Sequence, residues 1–178
     1  MALRNILTDN DPTLRKKSRE VTDFNERLHI LLDDMRQTLT EENGLGLAAP
    51  QVGILRRAAI IIDPTIEDES GEEQMIELIN PVMITHSDEQ TGIEGCLSFP
   101  GEYGIVTRPN FVEIRAQDRF GNFFSYTGEE IVARAICHEL DHLNGLVFVD
   151  LVKRLLSEEE IQEYIDKMEA KKANHTTR

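Results

Sequence analysis

The sequence predicts one domain that combines helices with antiparallel sheet. Three observations carry this. The stretch His138-Glu139-Leu140-Asp141-His142 only brings its two histidines together if it is helical, because residues four apart share a helix face. Strand-like segments follow one another through turns between Ala58 and Tyr126, which is the order of antiparallel sheet. The chain has 178 residues, enough for one sizeable core, and neither repeats nor a linker interrupt it, so 1–178 reads as a single domain.

The elements follow in order. Residues 1–21 are mixed and polar, with a turn at Asp11-Pro12. Thr22 or Asp23 can cap a helix running to about Glu42, whose apolar stripe is Leu28, Leu31, Leu32, Met35 and Leu39. Asn43-Gly44 stops it, and His29, off the stripe, reads as a surface residue. Ala58 to Asp63 reads as a buried strand, Ile66 to Gln74 as an exposed hairpin loop, and Met75 to Ile84 as a second strand broken at Asn80-Pro81. His86 falls in a loop by this pattern. Tyr103 to Thr107 and Val112 to Asp118 are strand-like, and a turn at Arg119–Asn122 lets Phe123 to Tyr126 pair back.

Thr127-Gly128-Glu129-Glu130 has the form of a capping box for the next helix, and Asn144-Gly145 supplies its stop. On that helix Ile131, Ala135, His138 and His142 share one stripe. Leu146 to Asp150 is a short apolar segment. Ser157 with Glu160 caps a last helix with Ile161, Ile165 and Met168 inward, and the polar tail from Lys171 is expected to fray.

Composition excludes several classes. The formal net charge of −14 argues against independent binding to nucleic acid or to an anionic membrane. The first residues lack an apolar signal region, and no run approaches a transmembrane length. Two cysteines, Cys96 and Cys137, make no disulfide framework, which suits the reducing cytoplasm. No strong extra apolar face remains, so a monomer is expected.

The chemistry centres on His138 and His142, with Glu139 beside them to take a proton from a metal-bound water. A catalytic site of this kind uses three protein ligands. The extended pattern HExxHxxGxxH holds as far as Gly145 and then meets Phe148. A downstream glutamate, Glu158, Glu159, Glu160 or Glu163, is near enough in sequence to serve, as in a metallopeptidase. Cys96, in a glycine-flanked turn, is the third option, since a thiolate binds a divalent ion strongly. Cys137 projects about 100° away from His138 and reads as a small buried hydrophobe. A structural metal domain is disfavoured, because a closed site would want four protein ligands. Glu94 reads either as a surface charge or as a partner of Arg108 bracing the cysteine turn. Gly44–Gly53 lacks the Gly-Lys-Ser/Thr of a phosphate loop, and its Gln51 needs a partner if buried.

Three stretches taken together, Gly44-Leu-Gly-Leu-Ala-Ala-Pro-Gln-Val-Gly, Glu94-Gly-Cys-Leu-Ser and His138-Glu-Leu-Asp-His-Leu-Asn-Gly, resemble the three signature motifs of the peptide deformylase family, in the same order. The resemblance covers nearly the whole chain. It implies an α+β fold, with antiparallel β-sheets packed around a central metal-bearing helix and helices toward both termini. It implies hydrolysis of the formyl group from the N-terminal formylmethionine of new polypeptides. Cys96, His138 and His142 would be the ligands of one divalent ion, ferrous iron in many members, with zinc or nickel able to replace it. Glu139 would be the general acid/base, and Gln51 and the Leu97 N–H would hold the formyl oxygen. Leu45, Gly46 and Gly95 would align the substrate, and Ile131 would wall the methionine pocket. Some relatives touch the ribosome through the last helix, but here acids outnumber bases from Ser157 on. Two departures from the family pattern bear on the pocket rim and the helix: Gly92-Ile93 before Glu94, where a bulkier residue and often proline are found, and Cys137 where glutamine is common.

Overall fold

The computed structural model describes residues 2–67, 71 and 73–175, and the side chains of all of these except 168, 169 and 171–175. Three helices, α1 (Glu26–Glu42), α2 (Glu130–Leu143) and α3 (Glu158–His175), accompany six strands. The strands are β1 (Gly46–Ala48), β2 (Ala58–Glu67), β3 (Glu73–Cys96), β4 (Phe99–Gln117), β5 (Phe123–Glu129) and β6 (Arg154–Leu155). They pair antiparallel in the order β1-β2-β3-β4-β5, with β6 on β4. The fold is α+β, and two long strands join its sheet regions into one hydrogen-bonded network.

β3 and β4 run through positions that the sequence alone marks as breaks. At Asn80-Pro81 the register of β3 shifts, and Asn80 adopts φ 50°. Its amide holds the bulge by accepting from Val21 N and donating to Val21 O and to the Gln117 side chain. The strand therefore continues, and His86, expected in a loop, pairs with Val112 as an exposed strand residue.

α1 buries the stripe read from its sequence. Leu28, Leu31, Leu32, Met35 and Leu39 pack with Leu47, Ile60 and Ile79. Its cap is Asn25 rather than Thr22 or Asp23: the Asn25 side chain accepts from Arg27 N and Leu28 N. Asn43, left-handed at φ 52°, closes the helix. His29 is half-buried, its Nε2 2.8 Å from Arg119 O, so the surface assignment is corrected.

α2 is the central helix. Val132, Ala133, Ile136 and Leu140 pack on Ile61, Leu78, Val112 and Ile114, and burying each valine, leucine or isoleucine side chain contributes roughly 1.5–3 kcal/mol. β5 approaches it so closely that a Cβ on Gly128 would meet Val132 and Ile136 at 2.8 and 3.0 Å. The expected Thr127 cap does not form. Strand pairing runs on to Phe111↔Glu129 with Thr127 opposite Glu113, so Glu129 takes the N-cap position without a side-chain bond. The expected stop does form. Gly145, at φ 76°, donates to His142 O, and Asn144 N and Leu146 N donate to Asp141 O. Ser18 N and Arg57 satisfy the Leu143 carbonyl.

Toward the C-terminus, Phe148 is buried with Leu14, Phe99, Val106 and Val147. Ser157 and Glu160 make the expected reciprocal cap of α3. Ile165 is exposed, and Tyr164, one position earlier, turns inward instead. Met168 lies outside the described side chains, and the backbone stays helical to His175 rather than ending at Lys171. Among the described residues no helix is long and apolar enough to cross a membrane.

Candidate active site

Cys96 ends β3, in the tight turn that pairs it with Phe99. His138 and His142 lie one turn apart on α2, at its buried face. The Sγ of Cys96 is 3.3 Å from His142 Nε2, which is 3.1 Å from His138 Nε2. Four-coordinate bonds of about 2.0–2.3 Å would hold such atoms roughly 3.4–3.6 Å apart; these two separations lie within a few tenths of an ångström of that, and all three donor atoms lie within 4.8 Å of one another, so the set fits one divalent ion. Among the described residues this is the one group of three or more His, Cys, Asp or Glu side chains close enough to share an ion. The downstream glutamates do not join it. Glu160 pairs with Arg154 at 2.7 Å, and Glu158, Glu159 and Glu163 face solvent. Phe148 packs its ring against His138, 6.2 Å between centroids.

Glu94 is not a surface charge. It is 6% exposed and gathers three cationic or N–H partners. Arg108 grips it with two bonds, Nε at 3.1 Å and Nη2 at 2.6 Å. Arg134 Nη1 reaches it at 2.8 Å, and His138 Nδ1 at 2.7 Å. Burial alone would raise its pKa, but the bonds from His138 and Arg108 outweigh that and hold the carboxyl well below the usual carboxylate range. The carboxylate is placed to accept Nδ1–H of His138, which would leave the Nε2 lone pair, on the side of Cys96 and His142, for a bound ion. Asp141 also pairs with Arg108, so this arginine has a second carboxylate besides Glu94.

The Arg134 guanidinium also explains a departure noted in the sequence. A Cβ on Gly92 would stand 3.2 Å from Arg134 Nη2, so glycine there leaves room for the arginine to tuck against β3 and reach Glu94. Cys137 is buried as expected, and burial pushes its thiol up to about 11.

Glu139 is 2% exposed, and its Oε2 has no hydrogen-bond partner among the described residues. Burial pushes its pKa up to about 7, with the neighbouring acids Glu94 and Asp141 adding to the shift and His138 opposing it. Gly46 faces it so closely that a Cβ would overlap the carboxylate. Gln51 is buried and pinned: Oε1 accepts from Ala48 N at 2.8 Å, and Nε2 donates to Ser98 Oγ at 3.2 Å. Its Nε2 also lies 3.5 Å from Cys96 Sγ, a weak bond that leaves one N–H available to a better acceptor.

A cavity of about 470 Å³ connects these groups. Leu45, Gly46, Gln51, Gly95, Cys96, Leu97, Ile131, His138 and Glu139 all border it. His142 stands behind the others, 1% exposed. The sequence did not single out Arg134, Ser98 or Tyr164. Arg134 left a signal, a lone cation inside the apolar run Ile131–Ile136 and one turn before His138. Tyr164 left none, since only the fold brings α3 to the cavity.

Residues 3–158 match the family model described as polypeptide deformylase. The chain belongs to that family. A peptide deformylase from Caldicellulosiruptor bescii is 52% identical over 163 residues, covering 92% of this chain and 93% of the relative. The crystal structure of a peptide deformylase from Legionella pneumophila superposes with a TM-score of 0.78 at 37% identity, covering 99% of both chains. A Met-Ala-Ser-bound crystal structure of a class I type b peptide deformylase from Acinetobacter baumannii gives 0.77 at 30% identity, covering 85% of this chain and 99% of that one. Membership makes this chain an enzyme of the deformylase kind, whose reaction removes the formyl group from new peptides.

Proposed function

We propose that residues 1–178 form one catalytic domain that hydrolyses the formyl group of N-formylmethionyl peptides, with Cys96, His138 and His142 holding one divalent ion. The convergence of this donor set with Glu139 and Gln51 around one cavity carries the reading. A bound ion supplies Lewis acidity and makes a water acidic enough to lose its proton near neutral pH. Glu139 accepts that proton and delivers it to the leaving amine, a task suited to a buried carboxyl with a pKa of about 7. Gln51 Nε2 and the Leu97 N–H donate to the formyl oxygen as negative charge develops on it. Leu45, Gly46 and Gly95 align the peptide backbone, and Ile131 walls the methionyl side chain.

Cys96 also counts against the rival metallopeptidase, which would take a glutamate as third ligand. The deciding experiment offers formyl-Met-Ala-Ser and unformylated Met-Ala-Ser to the metal-loaded enzyme. Formate release from the first and no cleavage of the second is expected. Peptide-bond cleavage of the unformylated tripeptide without formate release would overturn the proposal. Cys96→Ala should lose most of the bound metal, as judged by metal analysis after gel filtration. A full equivalent retained would remove Cys96 from the ligand set.

Removing one oxyanion donor costs about 10²–10³ in kcat, roughly 3–4 kcal/mol. Gln51→Leu should therefore depress kcat far more than it raises KM, and a change confined to KM would make Gln51 a ground-state contact. For the native ion we take ferrous iron on the family resemblance, because a thiolate and two imidazoles suit iron, zinc and nickel alike. Metal analysis of enzyme prepared without air tests this. The same reading makes the enzyme a cytoplasmic monomer whose partners are nascent formylated chains.

A further inference from the structure

The cavity continues past the atoms assigned to the chemistry. Its lining also includes two rings, Tyr103 on β4 and Tyr164 on α3, with centroids 6.5 Å apart and planes tilted by 51°. Tyr103 is fixed from behind. Its ring covers Gly95 so closely that a Cβ there would stand 2.7 Å from Cε1, and its carbonyl accepts from Leu156 N at 2.8 Å. That bond, with Gly104↔Leu155 and Ile105↔Arg154 pairing, ties the entry of α3 to β4. The Ser157–Glu160 cap and the Arg154–Glu160 pair then start α3 at a defined place. Tyr164 is half-buried while its neighbours Glu163 and Ile165 are exposed, so α3 turns this one side chain to the cleft.

We propose that Tyr164, together with Tyr103, forms a subsite for the part of the substrate beyond its first residue, so that α3 helps set which formylated peptides are taken. The inference rests on the deformylase reading above. A peptide aligned along Gly95 advances about 3.3 Å per residue when extended. Tyr103 already lies against Gly95, and the Tyr164 ring, 6.5 Å from it between centroids, is within the span of the next two or three residues of a peptide continuing along the cavity. Two tyrosines offer broad apolar faces with little rotamer freedom to lose, and hydroxyls that tolerate a wet rim. A volume of about 470 Å³ lies in the roughly 300–1,000 Å³ range of sites that enclose a drug-sized ligand, which leaves room beyond one methionyl residue.

The test compares two probes on the full-length, metal-loaded enzyme: formyl-Met amide, which ends before Tyr164, and formyl-Met-Ala-Ser, which extends to it. Tyr164→Ala should raise KM for formyl-Met-Ala-Ser about 10-fold, the scale of one aromatic contact, with kcat unchanged. It should leave kcat/KM for formyl-Met amide unaltered, and Tyr164→Phe should restore the tripeptide KM. An equal loss on both probes would assign Tyr164 a merely structural role, and an unchanged tripeptide KM would remove it from the cleft; either overturns the proposal. Turnover of formyl-Met amide by the unaltered enzyme separately decides the deformylase reading.

Discussion

Glu139→Gln should lower kcat by about 10²–10⁴-fold, the range for a lost general acid–base group, while one equivalent of metal stays bound. The substitution is close to isosteric, so the packing around the carboxylate survives. That matters because Gly46 closes on it with no room for a Cβ, and α2 is buried on this side. What changes is the ability to take and return a proton. In the unaltered chain burial brings the Glu139 pKa to about 7, and near neutral pH such a carboxyl takes up and releases a proton with little penalty either way. A glutamine at this position has no such equilibrium. Its effect should fall on kcat and kcat/KM alike, since proton transfer belongs to the transition state. Metal content, measured on the same preparation, separates this from a damaged site. Turnover within a few-fold of the unaltered enzyme, with metal bound, would show that Glu139 does not carry the proton.

The legible parts of this molecule were those whose signal is local. The Leu28–Leu39 stripe of α1, the stop at Asn144-Gly145 and the Ser157–Glu160 cap each depend on residues within a turn of one another, and each formed. The histidine pair was legible for the same reason. What failed was local chemistry overruled by pairing at a distance. Thr127 could have capped α2, but β5 holds it against Glu113. Asn80-Pro81 looked like an end of strand, but Val21 and Gln117 satisfy the bulge. His86 then followed β3 into the sheet. The cysteine was a harder case. Its spacing left glutamates open as third ligand, and the resemblance of three separate motifs, rather than any property of Cys96 alone, favoured it. For Glu94 the pairing with Arg108, one of the two readings the sequence left open, formed, but Arg134 and His138 lie 40 and 44 residues away on α2, a separation that no periodicity can reveal.

That carboxylate gives the second large expected effect. Glu94→Gln keeps the shape of the side chain but removes the one negative charge that Arg108, Arg134 and His138 share. Breaking a buried pair by removing one partner costs about 3–5 kcal/mol, because the remaining charge is stranded away from water. Here two guanidiniums are affected, and only Arg108 has a second carboxylate, Asp141, to fall back on. Arg134 keeps carbonyl contacts to Val106 and Gln90 but no other acid among the described residues. For a chain of this length the melting temperature should drop by on the order of 10 °C. The second consequence concerns His138. Without an acceptor of full charge on Nδ1–H, its ring is held less firmly and its Nε2 is a weaker donor. Losing such a partner typically lowers metal affinity about 10–100-fold. Unfolding followed with the metal chelated isolates the first effect, and competition with a coloured chelator measures the second. Replacing Arg134 by methionine in the same chain should recover part of the stability, since it removes the stranded charge, but not the metal affinity. If Glu94→Gln melted where the unaltered chain does and held its metal as tightly, the carboxylate would be a passive neighbour, and His138 would owe its orientation to α2 alone.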